Sequence, residues 1–481
     1  MRIAVVANSP YRDLPAATLT AMRLCQGGAS CYLAPAYVSG RELWALAPDY
    51  VLLENFGAAN QGLARGLMQA GVRVGVLDTD AGVFRDVEWY GARLGRDPAV
   101  RHKVSCFCAW GQAMAQQAVQ KGWFLPSQVR LTGTPRLDFY AEPWRQAALR
   151  LSWYAEVVPP PMVLIAGNFH YANPSDGNTE VALRTRLSMP GQTEASLRRW
   201  LEVERVTWRQ MAELTNRLAA RLPEVQFVYR PHPFENLTTY DDLLETRPNL
   251  RLIRQGTVDG WILRACAVIQ KGSTTAIEAT LAGVPALSPA WIPTPLRIET
   301  VEAVSIPCAS EEDLVECLYS AAHDQRSLLD RVRGNLNGVL STWFHDVDGR
   351  AHDRVAEAIL ESAGGTTGLV SLDRCEDALD GLLAARPTWK RRARAGLRRG
   401  LHLPVDWSFR RWRRTPDRRW DSSPRRWGVE QVQALAQAIE PSARSLYGPR
   451  WRPVAIRPAM AVEDYHFGYA PGHATALIAA A

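Results

Sequence analysis

The first third of the chain alternates short apolar runs with segments in which apolar residues recur at helical spacing. The apolar runs, which predict strands, lie at residues 3–8, 31–36, 50–55, 72–78, 106–111 and 129–135. Residues 14–24 carry apolar side chains at helical spacing. Strands that alternate with helices predict a parallel sheet with crossover helices. We therefore expect an N-terminal Rossmann-like domain over residues 1–150.

A triple proline at residues 159–161 interrupts this pattern and predicts a linker, because proline cannot continue a regular element. A second alternating series follows. Its predicted strands lie at 162–168, 225–233, 250–255, 266–271 and 284–289, and its predicted helices at 194–222, 274–283, 310–323 and 325–340. We expect a second Rossmann-like domain over residues 160–360. Two such domains predict an α/β protein with a cleft between them and ligands at the carboxyl ends of strands.

The composition is that of an ordinary globular protein, with 47% hydrophobic and 22% charged residues among 481. A chain of this length buries cores large enough to fold without disulfides or metals. Its eight cysteines show no C-x-x-C spacing, which is typical of a reducing compartment. There is no apolar run of about 18 residues that would span a membrane. We expect a cytoplasmic protein.

The positive charge is concentrated in a C-terminal extension, residues 361–481. Residues 390–426 contain 14 Lys/Arg against three acidic residues, a local net charge of +11, so the rest of the chain carries −4. Trp407, Trp412, Trp420 and Trp427 lie among these arginines. This mixture favours peripheral contact of residues 390–427 with the inner face of the cytoplasmic membrane. A solvated face or a subunit contact is the alternative; no reader motif predicts nucleic-acid binding.

The sequence KGSTTAIEATLAG carries the strongest candidate chemistry. Here a predicted strand ends at Lys271, and Gly272 allows a tight turn before a helix. The N–H groups at that helix start, with the hydroxyls of Ser273, Thr274 and Thr275, can bind an anion. Glu278 lies one turn further on, where a carboxylate can accept hydrogen bonds from a ribose diol. The alternative is a capped helix with a solvated glutamate.

Two further loops follow strands of the second domain. YRPHP holds a histidine between two prolines, and Arg230 and His232 are candidate phosphate contacts. GNFHYANP follows the first strand of this domain, with Asn168 and His170 at the expected cleft. Purely structural loops are the alternative for both.

Two loops of the first domain also follow strands. VLDTDAG places Asp78 and Asp80 at a strand end, where a carboxylate can act as general base or as nucleophile at an anomeric carbon. GTPRLD, residues 133–138, follows the last strand of this domain. Polar turns without a catalytic role are the alternative.

Seven stretches resemble, in order, the bacterial family of surface carbohydrate (surface polysaccharide) biosynthesis proteins. They are RDLPAATLTAMRL, VLDTDAG, AWGQAMAQQAVQKG, LTGTPRLD, VLIAGNFHYANP, VYRPHP and KGSTTAIEATLAGVPA. The resemblance covers roughly residues 1–345. The last two stretches are also similar to motifs of transferases that use CMP-activated acidic sugars, including Kdo transferases and polysialyltransferases. CDP-glycerol polymerases carry a similar pair.

The resemblance implies a GT-B fold whose second domain holds the nucleotide. His232, Ser273, Thr274 and Thr275 would bind the CMP phosphate, and Glu278 the ribose. The chain departs from the family in two places. It has Asp78-Thr79-Asp80-Ala81-Gly82 where the family has an acidic-acidic-glycine pattern, and His170 where an Asn-Phe-Gly motif is common.

We therefore expect a glycosyltransferase of surface polysaccharide biosynthesis that needs no metal and no cofactor beyond its nucleotide-sugar donor. Asp78-Thr79-Asp80 spells a metal-binding pattern, but GT-B enzymes seldom use one. The donor is expected to be CMP-linked, with CMP-Kdo as a candidate, and the acceptor a glycan or lipid-linked glycan. Asp80 is the first candidate for the catalytic carboxylate and Asp78 the second. The alternatives are a CDP-glycerol-type glycerophosphotransferase and a non-catalytic scaffold of a polysaccharide assembly complex.

Overall fold

The structure, a computed structural model, describes most of the chain. It covers residues 1–36, 43, 46–79, 87–95, 97–150, 158–180, 183, 187, 192–295, 297–364, 370, 427–459 and 476–480. The chain forms two compact units. The first comprises Met1–Ala81, Leu94–Arg136 and Arg350–Ala481, and the second comprises Gly82–Arg93 and Leu137–Gly349.

The first unit is built on a sheet of eight described strands. They are β1 (Arg2–Ala7), β2 (Ser30–Pro35), β3 (Tyr50–Leu53), β4 (Arg73–Leu77), β5 (Cys106–Ala109), β6 (Val129–Leu131), β13 (Val454–Pro458) and β14 (Ala476–Ala480). Their order is β13-β14-β2-β1-β3-β4-β5-β6. The strands from β2 to β6 pair in parallel, whereas β14 pairs antiparallel with β2. β3 and β5 are buried along their whole length, as expected for strands covered on both faces.

The helices of the first unit come from two parts of the chain, residues 14–138 and residues 351–447. They are Leu14–Gln26, Ala58–Gln69, Pro98–Arg101, Gln112–Gln120, Ala351–Ala363 and Val429–Tyr447, with Pro135–Asp138 at its boundary. The helix Leu14–Gln26 packs against both Ala351–Ala363 and Val429–Tyr447. The chain thus returns to the first unit after Gly349.

The second unit is built on a parallel sheet of six described strands. They are β7 (Met162–Ala166), β8 (Gln226–Arg230), β9 (Leu250–Leu252), β10 (Ala267–Gln270), β11 (Ala286–Pro289) and β12 (Ile306–Cys308). Their order is β12-β11-β10-β7-β8-β9. β7, β10 and β11 are buried along their whole length and consist mostly of apolar residues, which is typical of central parallel strands.

The second unit contains nine described helices. They are Val87–Arg93, Trp144–Arg150, Glu194–Arg221, Val258–Ile262, Thr275–Leu281, Glu299–Ala303, Glu311–His323, Gln325–Asp330 and Arg333–Trp343. Glu194–Arg221 begins where the hydroxyl of Thr193 accepts a hydrogen bond from Ser196 N, an N-cap that satisfies a donor left free at the helix start. Its apolar side chains Met211, Leu214 and Leu218 pack on the sheet.

The predicted α/β class with two Rossmann-like domains is confirmed by these two sheets. The domain boundaries differ from the predicted ones, because the residues after Gly349 pack on the first unit instead of completing the second or forming a separate extension. β12, β13 and β14 were not predicted. The predicted helix 325–340 is two helices. No helix in the described ranges is both long and apolar enough to cross a membrane.

The basic stretch, residues 390–427, lies outside the described residues except for its last one. Trp427 is buried in the first unit. Its ring therefore does not face a membrane surface, and the prediction of a membrane-facing tryptophan is wrong at this position.

Candidate functional site

Three loops of the second unit meet at one edge of its sheet. They follow the adjacent strands β7, β8 and β10 and comprise residues 167–175, 231–236 and 271–275. The chain proceeds outward in one direction from β7 to β9 and in the other from β10 to β12, so the strand order reverses between β7 and β10. Parallel α/β sheets bind ligands at such a reversal, beside the carboxyl ends of the strands. These three loops are called the three-loop site below.

The loops after β7 and β8 are joined by backbone hydrogen bonds. Gly167 N donates to Arg230 O at 2.8 Å, and Ser175 N donates to Phe234 O at 2.8 Å. A Cβ at position 167 would lie 3.0 Å from Pro231 Cα and 3.1 Å from Arg230 O. These distances are shorter than most Cβ contacts, so glycine is favoured where the two backbones approach each other.

Glu235 forms hydrogen bonds with both of these loops. The sequence patterns did not predict this role. Glu235 is fully buried, and its Oε1 accepts hydrogen bonds from Phe169 N (3.0 Å) and His232 N (2.7 Å). The Tyr240 hydroxyl donates to Oε2. Burial raises the pKa of Glu235 to about 7, although these hydrogen bonds act in the opposite direction. The sequence signal that could have found Glu235 is an acidic residue three positions after His232, in the loop that follows a buried strand.

His232 is half-buried, and its surroundings fix its tautomer. Its Nδ1 accepts a hydrogen bond from Phe234 N at 3.3 Å, so in the neutral ring the proton is assigned to Nε2. The ring stacks on that of His170, with centroids 4.4 Å apart. The site therefore has a histidine whose Nε2–H is a hydrogen-bond donor, as the predicted phosphate contact requires.

The third loop is tied to the first by Asn168, whose Nδ2 donates to Gly272 O at 3.0 Å. Gly272 has a positive φ of 67°, a backbone conformation that favours glycine. Beyond it, the hydroxyl of Ser273 lies 2.9 Å from that of Thr275, and Thr274 is the N-cap of the helix Thr275–Leu281. The structure thus brings together the motifs of Asn168, His232 and Ser273–Thr275.

Arg230, a predicted phosphate contact, binds backbone carbonyls of a neighbouring loop. Its guanidinium donates to the backbone carbonyls of Arg254 (3.1 Å), Gln255 (2.8 Å) and Gly256 (2.5 Å). Because these carbonyls engage both Nη atoms, Arg230 holds the loop after β9 in place. The predicted phosphate contact of Arg230 stays a prediction.

Glu278 is 3% exposed, on the buried side of its helix. Burial raises the pKa of the nearby Asp259 to about 6, and the charge of Glu278 adds to the rise. The predicted contact of Glu278 with a ribose stays a prediction.

The predicted catalytic carboxylates belong to the first unit. Asp80 lies outside the described residues. Asp78 follows β4, is 4% exposed, and lines a cavity of about 40 Å³. Asp13 and Glu54 line the same cavity, as do Thr134 and Arg136 of the predicted GTPRLD loop. Within the described ranges, no group of three or more His, Cys, Asp or Glu residues is arranged to hold a metal ion.

No family model and no curated protein matches the sequence. Solved structures are similar to it at low identity. The UDP-GlcNAc 2-epimerase of Methanocaldococcus jannaschii, in complex with UDP-GlcNAc and UDP, is 12% identical over 75% of this chain and 100% of its own, with a TM-score of 0.46. The S. aureus MnaA–UDP structure is 13% identical over 76% of this chain and 98% of its own, with a TM-score of 0.45. The wall teichoic acid polymerase TagF is 10% identical over 56% of this chain and 59% of its own, with a TM-score of 0.35.

Proposed function

We propose that this protein is a metal-independent glycosyltransferase of bacterial surface polysaccharide biosynthesis that takes its sugar from a CMP-linked donor. CMP-Kdo is the first donor to test. The observation that carries the proposal is the three-loop site, in which three separate motifs meet where the strand order reverses. The resemblance of the same motifs to those of CMP-sugar transferases supports the choice of nucleotide.

The three-loop site would bind the phosphate of the donor. The Nε2–H of His232 and the hydroxyls of Ser273, Thr274 and Thr275 are donors suited to phosphate oxygens. The helix Thr275–Leu281 has two turns, so its dipole adds little and the side chains carry most of the interaction.

The proposed reaction moves a sugar and a proton. An acceptor oxygen forms a bond to the anomeric carbon, while the bond from that carbon to the phosphate oxygen breaks. The electron pair leaves with CMP, and negative charge grows on the phosphate. Hydrogen-bond donors already aimed at that phosphate lower the barrier. The acceptor proton passes to a carboxylate, for which Asp80 and Asp78 are the sequence candidates.

A lipid-linked acceptor would agree with a peripheral contact of residues 390–426 with an anionic membrane surface. That contact is a proposal from composition alone. Co-sedimentation of the full chain with vesicles containing anionic lipid tests it, and vesicles of neutral lipid are the control.

The transferase proposal is tested with the full chain, CMP-Kdo and a metal chelator. Mass spectrometry of the glycan product identifies the transferred group. We expect Kdo transfer by the wild-type chain and at least 100-fold slower transfer by His232→Ala, a loss larger than any loss of folded protein measured by thermal unfolding. Transfer of glycerol phosphate from CDP-glycerol would instead support the alternative, a CDP-glycerol-type glycerophosphotransferase. Binding of no nucleotide at all would favour the scaffold.

A further inference from the structure

The cavity of the first unit lies where the strand order of its own sheet reverses. The chain proceeds from β1 to β2 in one direction and from β3 to β6 in the other. Asp13 comes from the segment after β1, Glu54 follows β3 and Asp78 follows β4. All the residues that line the cavity belong to the first unit. Because parallel sheets bind ligands at such a reversal, the cavity is a candidate binding site formed by one unit alone.

Two of the carboxylates that line this cavity have different surroundings. Asp13 forms an ion pair with Arg12, whose Nε lies 2.8 Å from its Oδ1, and it also accepts a hydrogen bond from Ser9 N. Its charge is therefore balanced. Glu54 is held by neutral groups instead, because its Oε1 accepts hydrogen bonds from the amides of Asn55 and Asn60, each at 3.1 Å.

The second oxygen of Glu54 is the unusual atom of the cavity. Glu54 is 6% exposed, and among the described residues its Oε2 has no hydrogen-bond partner. A buried carboxylate oxygen without a partner is costly, and native proteins satisfy nearly all such atoms. Because Glu54 lines the cavity, a ligand in the cavity can supply the missing donor.

The charges around Glu54 favour a ligand with one positive charge. Burial raises the pKa of Glu54 to about 7, and the negative charges of Asp13 and Asp78 add to the rise. The described cations at the cavity are Arg136, which lines it, and Arg12, which is paired with Asp13. Three carboxylates and two guanidiniums leave one negative charge in excess when Glu54 is ionised. A cationic ligand would balance that charge.

The chemistry of the cavity favours an ammonium group over a metal ion or a neutral hydroxyl. Among the described residues, no three carboxylates are arranged to hold a metal ion. A hydroxyl can donate a hydrogen bond to Glu54 Oε2 but brings no charge. An ammonium group donates the hydrogen bond and also compensates the charge of the ionised carboxylate.

The size of the cavity limits the carbon stem that carries the ammonium group. A volume of about 40 Å³ has room for about three water-sized groups. An aminoethyl group, which consists of a nitrogen atom and two methylene groups, matches this volume. Val5, Ala17 and Leu52 are among the apolar residues of the lining, and they suit the methylene groups.

We propose that the cavity of the first unit binds the terminal ammonium group of a small aminoalkyl ligand, with Glu54 Oε2 as its hydrogen-bond and charge partner. The ligand is recognised by its positive charge, its N–H donors and its short carbon stem. A free amine and the aminoethyl arm of a larger molecule both carry this group. The site is formed by the first unit alone, and its occupation does not depend on the proposed glycosyl transfer.

Saturation-transfer NMR with the full chain measures this binding, because the method detects weak ligands of large proteins. Ethylammonium chloride is the probe for a free amine, and O-phosphoethanolamine is the probe for the same group on a larger molecule. Ethanol has nearly the same size without the charge and is the control ligand. Magnesium chloride is added as a competitor, at constant chloride concentration.

Two variants are compared with the wild-type full chain. Glu54→Gln keeps the shape of the side chain and an oxygen for Asn55 and Asn60, but it cannot ionise. Ala17→Leu fills the cavity from the helix Leu14–Gln26 and leaves Glu54 in place. Glu357→Gln, at an exposed position of the first unit, is the matched control. Thermal unfolding of each variant shows whether it is folded under the conditions of the titration.

We expect ethylammonium to bind the wild-type chain with a Kd of about 1 mM or weaker, as the small size of the ligand dictates. Binding should be about tenfold tighter at pH 8 than at pH 6, because Glu54 ionises through about 7 while the alkylammonium stays charged. Glu54→Gln should bind at least tenfold more weakly and lose this pH dependence. Ala17→Leu should also bind at least tenfold more weakly, and Glu357→Gln like the wild type.

Several results would overturn the proposal. They are equal affinity of the wild-type chain for ethylammonium at pH 6 and pH 8, binding by Glu54→Gln within threefold of the wild type, binding of ethanol as tight as that of ethylammonium, and displacement of ethylammonium by a tenfold lower concentration of magnesium. If Glu54→Gln does not fold, Ala17→Leu and the pH dependence of the wild type decide.

The two amine probes distinguish the source of the ammonium group. Equal binding of O-phosphoethanolamine and ethylammonium would support the arm of a larger molecule, and binding of ethylammonium alone would support a free amine. Neither result requires nucleotide binding or sugar transfer, so a failure of this site is distinguishable from a failure of the proposed function.

Discussion

In each unit of this protein, a buried glutamate lies in a segment that follows a strand of the sheet. Glu235 joins two loops of the three-loop site, and Glu54 lines the cavity of the first unit. In each case burial raises the pKa to about 7. The sequence patterns did not single out these two residues, because a glutamate that follows a strand has the same pattern as any polar turn residue. The motif histidine His232 was identified from sequence, whereas the glutamate that positions its backbone was not.

Replacement of Glu235 by glutamine should change how stability depends on pH. The pKa of Glu235 is raised from 4.5 to about 7 on folding, so the folded chain keeps a proton that the unfolded chain has released. Stability is therefore lost as pH rises from about 4.5 through about 7, by roughly 3 kcal/mol for a shift of this size. Glu235→Gln cannot ionise and should not show this loss.

Urea unfolding at pH 5 and pH 8 measures this difference. The exposed Glu224→Gln, in the same unit, is the control and should keep the pH dependence of the wild type. Equal loss of stability between the two pH values in Glu235→Gln and wild type would refute the linkage.

At the scale of elements, the apolar strands were predictable and the short irregular ones were not. β1, β3 and β7 consist of buried apolar runs bounded by polar residues, which the sequence displays directly. β12 has three residues, with Pro307 exposed in the middle, and β14 is rich in alanine. These strands depend on neighbouring strands for their pairing, and short-range patterns carry little information about such neighbours.

The close approach of the loops after β7 and β8 predicts the effect of adding one methyl group. In Gly167→Ala the new Cβ would lie 3.0 Å from Pro231 Cα and 3.1 Å from Arg230 O, closer than an ordinary van der Waals contact. The two backbone segments must therefore move apart slightly. We expect a loss of about 1–3 kcal/mol in unfolding free energy and weaker nucleotide binding.

Gly338→Ala is the matched control for this variant. It lies in the helix Arg333–Trp343, where a Cβ meets no atom within 4 Å. Alanine there should be neutral or stabilise the chain by up to about 1 kcal/mol. Denaturant unfolding of both variants decides the matter, and equal stabilities would contradict the close approach.

At the scale of the whole molecule, the end of the described chain completes the first unit. The strand β14 extends its sheet beside β2, and the helix Val429–Tyr447 packs on Leu14–Gln26. The sequence suggested a separate extension, because its basic composition differs from that of the preceding domains. The composition of a segment indicates which solvent or partner it favours. It does not indicate pairing between β2 and β14, which lie more than 400 residues apart in the sequence.

The hydroxyl of Tyr447 links the helix Val429–Tyr447 to the helix Ala351–Ala363. Its removal tests how much this link contributes to stability. The hydroxyl donates to the carboxylate of Asp353 at 2.8 and 2.9 Å and lies 2.7 Å from His352 Nε2. Tyr447→Phe should lower the unfolding free energy by about 1–3 kcal/mol, because Asp353 and His352 lose a buried partner. Tyr319→Phe, at an exposed position, should change it by less than about 0.5 kcal/mol. Thermal unfolding of both variants measures the contrast, and a neutral Tyr447→Phe would contradict this role.

Calorimetric titration of CMP, CDP, UDP, GDP and UMP into the full chain, without metal, tests whether the three-loop site binds a cytidine nucleotide. We expect selective binding of cytidine nucleotides and at least tenfold weaker binding of CMP by His232→Ala, because a hydrogen bond to a charged phosphate is lost. His323→Ala, at an exposed position of the same unit, should bind like the wild type. Absence of CMP binding, or unchanged affinity in His232→Ala, would contradict the account.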